Sequence, residues 1–269
     1  MKRNVALTIA GSDSGGGAGI QADLKTFQEL GIYGMSAITA VTAQNTLGVE
    51  AVYPIPLEAI EKQIDAVATD IGTDAVKTGM LFDSNIIELV AAKIIAYKWK
   101  NVVVDPVMIA KGGASLLQRE AVAALKQHLI PLATVITPNI PEAEELTGFS
   151  IHTMEDKKEA ARTLHSLGVK YVIMKGGHGE GDDLVDMLYD GDTFFTLESK
   201  RINTKNTHGT GCTFAAAMAA SLASGMPVHK SFEVAKRFVY LAIKHDLHLG
   251  KGHGPTNHWA YAEYGKSKE

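Results

Sequence analysis

The sequence contains only one cysteine, Cys212, among its 269 residues. A single thiol excludes an internal disulfide framework and a zinc site built from several cysteines. No apolar run approaches the ~20 residues of a membrane-spanning helix, so we expect no membrane partner. The formal net charge is -4, and the absence of a basic stripe argues against nucleic acid as a partner. We therefore expect a cytoplasmic protein.

Two nucleotide-binding signatures are absent or incomplete. The Walker A pattern, G-x-x-x-x-G-K-[ST], does not occur, which excludes a P-loop NTPase. Gly17, Gly19 and Ala22 match the G-x-G-x-x-A form of the dinucleotide fingerprint. The acidic residue of that fingerprint is missing, because the next strand-like run ends at Gln44 and no Asp or Glu occurs before Glu50. A dinucleotide-dependent oxidoreductase is thus a remote alternative, and the loop could instead let the backbone approach a compact substrate.

The sequence is otherwise typical of a folded α/β protein. Hydrophobic residues make up 46% of the chain and charged residues 21%, which is enough for a core. Short runs rich in Val, Ile and Ala alternate with helix-length segments, which predicts a mostly parallel sheet with helices on both faces. The predicted strands are 5–10, 36–42, 75–78, 102–105, 134–137 and 171–175. The predicted helices are 20–30, 57–71, 84–97, 118–128, 156–167, 212–223 and 228–248.

The alternation changes after Lys175. Residues 184–190 and 193–197 are strand-like and are joined by Gly191-Asp192, which predicts an antiparallel hairpin at an edge of the sheet. The chain contains no linker-like tract and no internal repeat. We therefore expect residues 1–269 to form a single domain.

Small or polar residues follow six of the predicted strands. Open α/β sheets bind ligands beyond the carboxyl ends of their strands. Each of these residues alone is typical of a turn, but together they favour a binding site. They are Gly11-Ser12-Asp13, Gln44-Asn45, Gly79-Met80, Asp105-Pro106, Asn139 and Gly176-Gly177.

A second glycine-rich loop, His208-Gly209-Thr210-Gly211-Cys212, precedes an alanine-rich helical segment. A helix N-terminus carries free N–H groups and a partial positive charge, and glycines leave space for an anion. The loop is therefore suited to hold phosphoryl oxygens as charge builds on them. On its own, it is equally consistent with a simple turn into a packed helix.

This loop also carries a family resemblance. Gly209-Thr210-Gly211-Cys212 resembles the anion-hole motif of the ribokinase-like superfamily, and Asn139-Ile140-Pro141-Glu142 resembles its N-x-x-E magnesium motif. Most sugar kinases of that superfamily have Asp in place of Cys212, and the cysteine form is typical of the branch that phosphorylates vitamin-like rings. Further motifs, spread over residues 5–258, resemble bacterial hydroxymethylpyrimidine kinases. They are Thr8-Ile9-Ala10-Gly11-Ser12-Asp13-Ser14, Gly17-Ala18-Gly19-Ile20-Gln21-Ala22-Asp23, Lys77-Thr78-Gly79-Met80-Leu81, Asp105-Pro106-Val107-Met108 and Gly252-His253-Gly254-Pro255.

The resemblance implies a ribokinase-like three-layer α/β/α fold and a homodimer. It also implies an ATP- and Mg²⁺-dependent kinase that phosphorylates hydroxymethylpyrimidine and then its monophosphate in thiamine biosynthesis. Bacterial pyridoxal kinases share the architecture and are the close alternative. Gln44 resembles the pyrimidine-binding glutamine, and Ala110 stands where those pyridoxal kinases typically have a second cysteine, so both favour the pyrimidine. A catalytically silent binding protein is a third possibility, which the intact kinase motifs argue against.

Five residues are predicted to bind the substrate. Gln44 offers an acceptor and donors, which suit an amine beside a ring nitrogen. Gly11 would leave space for the ring, and Met80 and Val107 would form apolar walls. The resemblance implies that Asp23 contacts the pyrimidine or its hydroxymethyl group.

Another five residues are predicted at the phosphate end of the site. The resemblance implies that Asp105 and Glu142 hold Mg²⁺, directly or through water, because magnesium prefers oxygen ligands. Asn139, Lys175 and His208 are assigned to ATP, and a lysine is a reasonable partner for a nucleotide phosphate. Without a functional role, Asp105 and Glu142 would be ordinary carboxylates in turns, and Lys175 would be a surface lysine.

Gly209, Thr210, Gly211 and Cys212 are predicted to be catalytic. The substrate hydroxyl must lose a proton during phosphoryl transfer, and a helix N-terminus can lower a cysteine pKa from about 8.5. Cys212 could therefore be the general base, or it could contribute only its backbone N–H. Lys111-Gly112-Gly113-Ala114 could close over the site as a flap, or it could be an exposed loop.

Overall fold

The computed structural model describes residues 3–108, 116, 118, 120–177 and 183–265. The strands in these ranges form one nine-stranded sheet with the order β3-β2-β1-β4-β5-β6-β7-β8-β9. The strands β2, β1, β4, β5, β6 and β7 pair in parallel. The pairs β3–β2, β7–β8 and β8–β9 at the two edges are antiparallel. The strands are β1 (Val5–Asp13), β2 (Tyr33–Asn45), β3 (Gly48–Pro54), β4 (Ala75–Thr78), β5 (Val102–Val104), β6 (Val135–Ile136), β7 (Tyr171–Met174), β8 (Asp183–Tyr189) and β9 (Phe194–Lys200).

Helices cover both faces of the sheet, because the central strands are apolar on both sides. Leu7 and Ile9 of β1 pack into one hydrophobic cluster, while Ala6 packs into a second cluster on the opposite face. The predicted three-layer α/β/α architecture is therefore confirmed. The helices are α1 (Gly19–Glu29), α2 (Leu57–Asp70), α3 (Ser84–Ala96), α4 (Ala121–Ala124), α5 (Ile140–Thr147), α6 (Met154–Ser166), α7 (Thr210–Ala223), α8 (Val228–Lys244) and α9 (Ala260–Tyr264).

Several elements differ from their predictions. The hairpin of β8 and β9 is confirmed, but β3, α5 and the short α9 are not among the predicted elements. The helix predicted over 118–128 is instead the single turn of α4 followed by a π-helix, Leu125–Leu129, and a short 3-10 turn. Pro131 in that turn explains why the helix does not continue. The last long helix ends at Lys244 rather than at 248. No helix in the described part of the chain is long and apolar enough to cross a membrane.

Irregularities at the carboxyl ends of β1 and β2 shape the site. The register of β1 against β2 shifts between Ala10 and Ser12, which marks a bulge at Gly11. A Cβ atom on Gly11 would lie 3.1 Å from Met80 Sδ, so the glycine permits this close approach. Gln44 lies within β2, where it pairs with Val49 of β3, rather than beyond the end of the strand.

Candidate active site

One large cavity of about 1180 Å³ opens at the carboxyl ends of the parallel strands. This is the position expected for a ligand site in an open α/β sheet. Its wall contains every residue that the sequence analysis assigned to the site except Asp23. The residues that line it as predicted are Gly11, Gln44, Met80, Asp105, Val107, Asn139, Glu142, Lys175, His208, Gly209, Thr210, Gly211 and Cys212. Ala110 and the predicted flap, Lys111-Gly112-Gly113-Ala114, lie outside the described residues.

The two glycine-rich loops pack against each other at this cavity. Gly209 has a φ of 84°, and a Cβ atom there would overlap the carbonyl oxygen of Gly17. In return, a Cβ atom on Gly17 would lie 2.5 Å from His208 Cδ2. Glycine is therefore required on both sides of the contact, and the loops form one structure rather than two alternative phosphate sites.

The Asp13 carboxylate organises the first of these loops. It accepts hydrogen bonds from the backbone N–H groups of Gly15, Gly17 and Ala18 at 2.8–3.0 Å. A dinucleotide would need such glycine-loop N–H groups for its pyrophosphate, but here they are already engaged. This arrangement argues against the oxidoreductase alternative.

Asp13 also binds His208, whose Nε2 atom lies 2.8 Å from Asp13 Oδ2. Burial opposes the charge of Asp13, but the hydrogen bonds from His208 and Ala18 hold the pKa of this carboxyl below its usual value. The carboxylate is therefore ionised at neutral pH. The imidazole also lies 3.3 Å from Gln44 Nε2, so the structure places His208 beside a predicted substrate residue.

A cluster of two carboxylates and one ammonium occupies the other end of the cavity. Lys175 Nζ lies 3.2 Å from Asp105 Oδ1 and 3.9 Å from Glu142 Oε2. Asp105 Oδ2 is buried without a hydrogen-bond partner among the described residues. Such an oxygen fits a hard divalent cation, which would satisfy it.

The same carboxylates supply only part of a metal coordination shell. In the ranges that the structure describes, no three His, Cys, Asp or Glu side chains converge as metal ligands. Mg²⁺ usually binds through one or two carboxylates and completes its shell with water and phosphate oxygens. The donor set of Asp105 and Glu142 therefore suits Mg²⁺ bound together with a nucleotide.

Glu142 and Asn139 also form the N-terminal capping box of α5. Glu142 N–H donates to Asn139 Oδ1 at 2.9 Å, and Asn139 N–H donates to Glu142 Oε2 at 2.8 Å. The N-x-x-E motif thus fixes the start of a helix as well as lining the cavity. Burial raises the pKa of Glu142 to about 7, against the opposing effect of Lys175. A cation bound beside Glu142 would favour its ionised form.

Cys212 lies in the first turn of α7 and is half-buried at the wall of the cavity. Burial raises the pKa of its thiol to about 11, although the Lys77 ammonium and a backbone hydrogen bond from Gly19 act in the opposite direction. The nearby carboxylates of Asp105 and Asp23 add to the increase. The predicted lowering of this pKa is therefore wrong, because desolvation outweighs the helix N-terminus.

Lys77 has no predicted role, yet its side chain lines the cavity. Lys77 Nζ lies 2.9 Å from Asp23 Oδ2, and both side chains are fully buried. Asp23 also accepts a hydrogen bond from Thr8 Oγ1 at 2.6 Å. Unlike the other predicted substrate residues, Asp23 does not line the cavity, because its carboxylate is the buried counter-ion of Lys77. A lone lysine within the apolar strand β4 was the signal that could have revealed it.

Comparison with known proteins agrees with this geometry. Residues 13–257 match the family model described as phosphomethylpyrimidine kinase. The chain is 60% identical to the hydroxymethylpyrimidine/phosphomethylpyrimidine kinase of Bacillus subtilis (strain 168), over 95% of each chain. It is 49% identical to the pyridoxine kinase of the same organism, over 97% of each chain. The pyridoxal kinase of Staphylococcus aureus in complex with AMP-PCP and pyridoxal superposes with a TM-score of 0.91 at 40% identity, covering 98% of this chain and 96% of that one.

Proposed function

The chain belongs to the phosphomethylpyrimidine kinase family, and from that premise we propose a two-step activity for it. The enzyme transfers the γ-phosphoryl group of ATP to 4-amino-5-hydroxymethyl-2-methylpyrimidine, and then phosphorylates the monophosphate to the diphosphate. Both products would serve thiamine biosynthesis. We also propose that it works as a cytoplasmic homodimer, a state that light scattering of the purified protein would test.

One observation carries this proposal: a single cavity joins a phosphate-binding end to a ring-binding end. The first turn of α7 supplies free N–H groups at Gly211 and Cys212, and Lys175, Asp105 and Glu142 lie on the same wall. The volume of about 1180 Å³ exceeds that of an ordinary small-ligand pocket. It therefore leaves space for a nucleotide and a small ring together.

The phosphate end can perform phosphoryl transfer by positioning and charge neutralisation, which dominate catalysis of this reaction. The N–H groups at the start of α7 would bind the oxygens of the transferred group as their charge grows. Asp105 and Glu142 would hold Mg²⁺, which supplies further charge neutralisation when bound. Lys175 would bind a nucleotide phosphate after exchanging part of its contact with Asp105.

The substrate hydroxyl would lie near Cys212, which we propose as its proton acceptor. With a pKa of about 11, only about one thiol in 10⁴ is ionised at pH 7. The loose transition state of phosphoryl transfer does not require a strongly ionised nucleophile, so late proton removal is sufficient. A rate limited by this thiolate should increase with pH.

The ring end favours an aminopyrimidine. Gln44 presents a terminal amide to the cavity beside Gly11 and Met80. One amide donor and one acceptor match a ring nitrogen and its neighbouring amine. Pyridoxal is the second candidate, because pyridoxal and pyridoxine kinases are among the close relatives.

A phosphorylation assay tests the proposal. Purified protein receives ATP and Mg²⁺ with hydroxymethylpyrimidine, its monophosphate or pyridoxal, and phosphorylated product is measured. We expect both pyrimidines to react with higher kcat/KM than pyridoxal, and EDTA to stop the reaction. Faster turnover of pyridoxal would reject the pyrimidine assignment, and the absence of ADP with every substrate would reject the kinase.

A further inference from the structure

The Gln44 amide belongs to a small, partly buried network whose geometry limits the direction of each hydrogen bond. Ser14 fixes the position of the Gln44 backbone through two hydrogen bonds. Ser14 Oγ donates to Gln44 O at 2.7 Å and accepts from Gln44 N–H at 2.8 Å. The side-chain amide lies between two partners. Gln44 Nε2 is 3.3 Å from His208 Nε2, and Gln44 Oε1 is 3.1 Å from Thr42 Oγ1.

Asp13 decides where the proton of His208 lies. The carboxylate is ionised and can only accept, and His208 Nε2 lies 2.8 Å from Asp13 Oδ2. His208 Nε2 must therefore carry a proton. An amide N–H cannot donate to a nitrogen that is itself a donor, so the oxygen of the Gln44 amide has to face the imidazole.

Thr42 fixes the other end of the amide. Its hydroxyl lies 2.9 Å from the carbonyl oxygen of Ser12, which can only accept, so the Thr42 proton is directed there. Thr42 Oγ1 then offers a lone pair towards Gln44. The nitrogen and oxygen of a terminal amide have nearly the same size, so these two partners decide which atom faces which. The amide nitrogen donates to Thr42 and the amide oxygen faces the imidazole, so the two atoms exchange the places given above. The oxygen shares, as a second acceptor, the Nε2 proton that His208 donates to Asp13.

We infer that His208 and Thr42, with Asp13 behind His208, are positioning residues that orient the Gln44 amide for the substrate ring. In this orientation one amide N–H and one oxygen lone pair remain available for an aminopyrimidine. The inference rests on the proposed function, because it concerns how that enzyme selects its ring. It also moves His208 from the predicted ATP site to the ring-binding end, where its contacts lie.

A double-mutant cycle between His208 and Gln44 tests the inference. The unaltered protein is first titrated with hydroxymethylpyrimidine by calorimetry, and failure to bind would count against the proposed function alone. We expect His208→Ala to weaken pyrimidine binding about tenfold or more, the equivalent of one hydrogen bond. Binding of the ATP analogue AMP-PCP with Mg²⁺ should stay within about twofold of the unaltered protein.

The coupling of the two substitutions gives the decisive result. In a Gln44→Ala background, His208→Ala should weaken pyrimidine binding by less than about twofold, because the amide that it orients is gone. If the two substitutions weakened pyrimidine binding independently, so that their effects multiplied, the inference would be overturned. It would also be overturned if His208→Ala weakened only the binding of AMP-PCP. Such a loss would return His208 to the ATP site.

The pair Thr42→Val and Thr42→Ser repeats the test without changing the histidine. Valine has the shape of threonine without its hydroxyl, whereas serine keeps the hydroxyl. We expect Thr42→Val to weaken pyrimidine binding about tenfold only when Gln44 is present, and Thr42→Ser to restore it. Equal binding by both variants would overturn the inference even if His208→Ala did not fold.

Discussion

Glu142 shows at the scale of one residue how a binding group can reduce the stability of a fold. Burial raises its pKa to about 7 from an ordinary value of 4.5, so the folded protein retains a proton that the unfolded chain releases. Between about pH 4.5 and 7, the folded state therefore binds more protons than the unfolded state. The free energy of unfolding should fall with increasing pH across this window.

Glu142→Gln should remove this pH-dependent cost while keeping the capping hydrogen bond, because Gln also serves in a capping box. We expect the variant to be more stable than the parent by about 1–3 kcal/mol at pH 8, since one pKa unit corresponds to about 1.4 kcal/mol. The difference should vanish near pH 4. Urea unfolding at both pH values measures it, with the exposed Glu145→Gln on the same helix as a control. A less stable Glu142→Gln variant at pH 8 would contradict the prediction.

The pKa of the Cys212 thiol can be measured directly by chemical modification, because Cys212 is the only cysteine in the chain. We expect modification by iodoacetamide to be slow at pH 7 and to accelerate about tenfold per pH unit up to pH 10, as the thiolate fraction does for a pKa of about 11. Mass spectrometry follows the modified protein, and Cys212→Ala provides the unreactive control. A rate that levels off near pH 8 would show that the pKa is not raised.

If Cys212 is the general base, Cys212→Ala should also lower kcat by about 10²-fold or more.

At the scale of secondary structure, the start of α7 depends on its contact with the first glycine loop. The first backbone hydrogen bond of the helix runs from Thr213 N–H to Gly209 O at 2.9 Å. Gly209 itself adopts a left-handed conformation directly against Gly17. The N–H groups that would bind phosphate are thus positioned by a contact between distant parts of the chain.

Gly209→Ala and Gly225→Ala form a matched pair that tests this contact. Both glycines have a φ of 84°, but a Cβ atom would overlap Gly17 at the first position and meet open space at the second. Gly225→Ala should cost only the strain of the left-handed conformation, about 1–2 kcal/mol, and should keep its kcat. Gly209→Ala should also displace the loop and lower kcat by about 10²-fold, the loss typical of one oxyanion donor. Equal kcat values for the two variants would show that the contact does not position the anion site.

The elements that the sequence analysis found and missed differ in their physical origin. Buried parallel strands such as β4 and β7 are short apolar runs, so composition alone predicts them. The edge strand β3 carries exposed residues and is defined by pairing with β2. Its pattern is correspondingly weak. Helix α5 begins at a capping box whose residues were read as a metal motif, which obscured its helical role.

The residues of the site also divide into those that the sequence predicts and those that depend on the three-dimensional fold. The strand ends, the glycine loop and the family resemblance together predicted thirteen of the residues that line the cavity, because strand ends and a helix start converge in this fold. Hydrogen bonds between residues that are distant in the sequence could not be predicted from these motifs. Asp23 therefore became a substrate ligand in the prediction, although it is the partner of Lys77, 54 positions away. The pKa of Cys212 was mistaken for the same reason, since its burial depends on the whole fold.

At the scale of the whole molecule, one sheet separates two hydrophobic clusters. The cluster around Leu7 and Ile9 packs under one helical layer, and the cluster around Ala6 packs under the layer that contains α7 and α8. Alternate residues of β1 belong to opposite clusters. Neither cluster can therefore lose its order without exposing the sheet that the other covers.

We therefore expect residues 1–269 to unfold as a single domain, and the two tryptophans can report on the two layers. Trp99 packs against the first cluster, whereas Trp259 precedes α9, which contacts α8 in the second layer. The variants Trp99→Phe and Trp259→Phe each leave one fluorescent reporter. Within each variant, the urea transition followed by tryptophan fluorescence and the one followed by circular dichroism should have the same midpoint and slope, as a two-state transition requires. Fluorescence and circular dichroism midpoints that separate within one variant would show that the layers unfold independently. Each spectroscopic comparison is made within one variant, so a change in stability caused by the substitution itself cannot produce that separation.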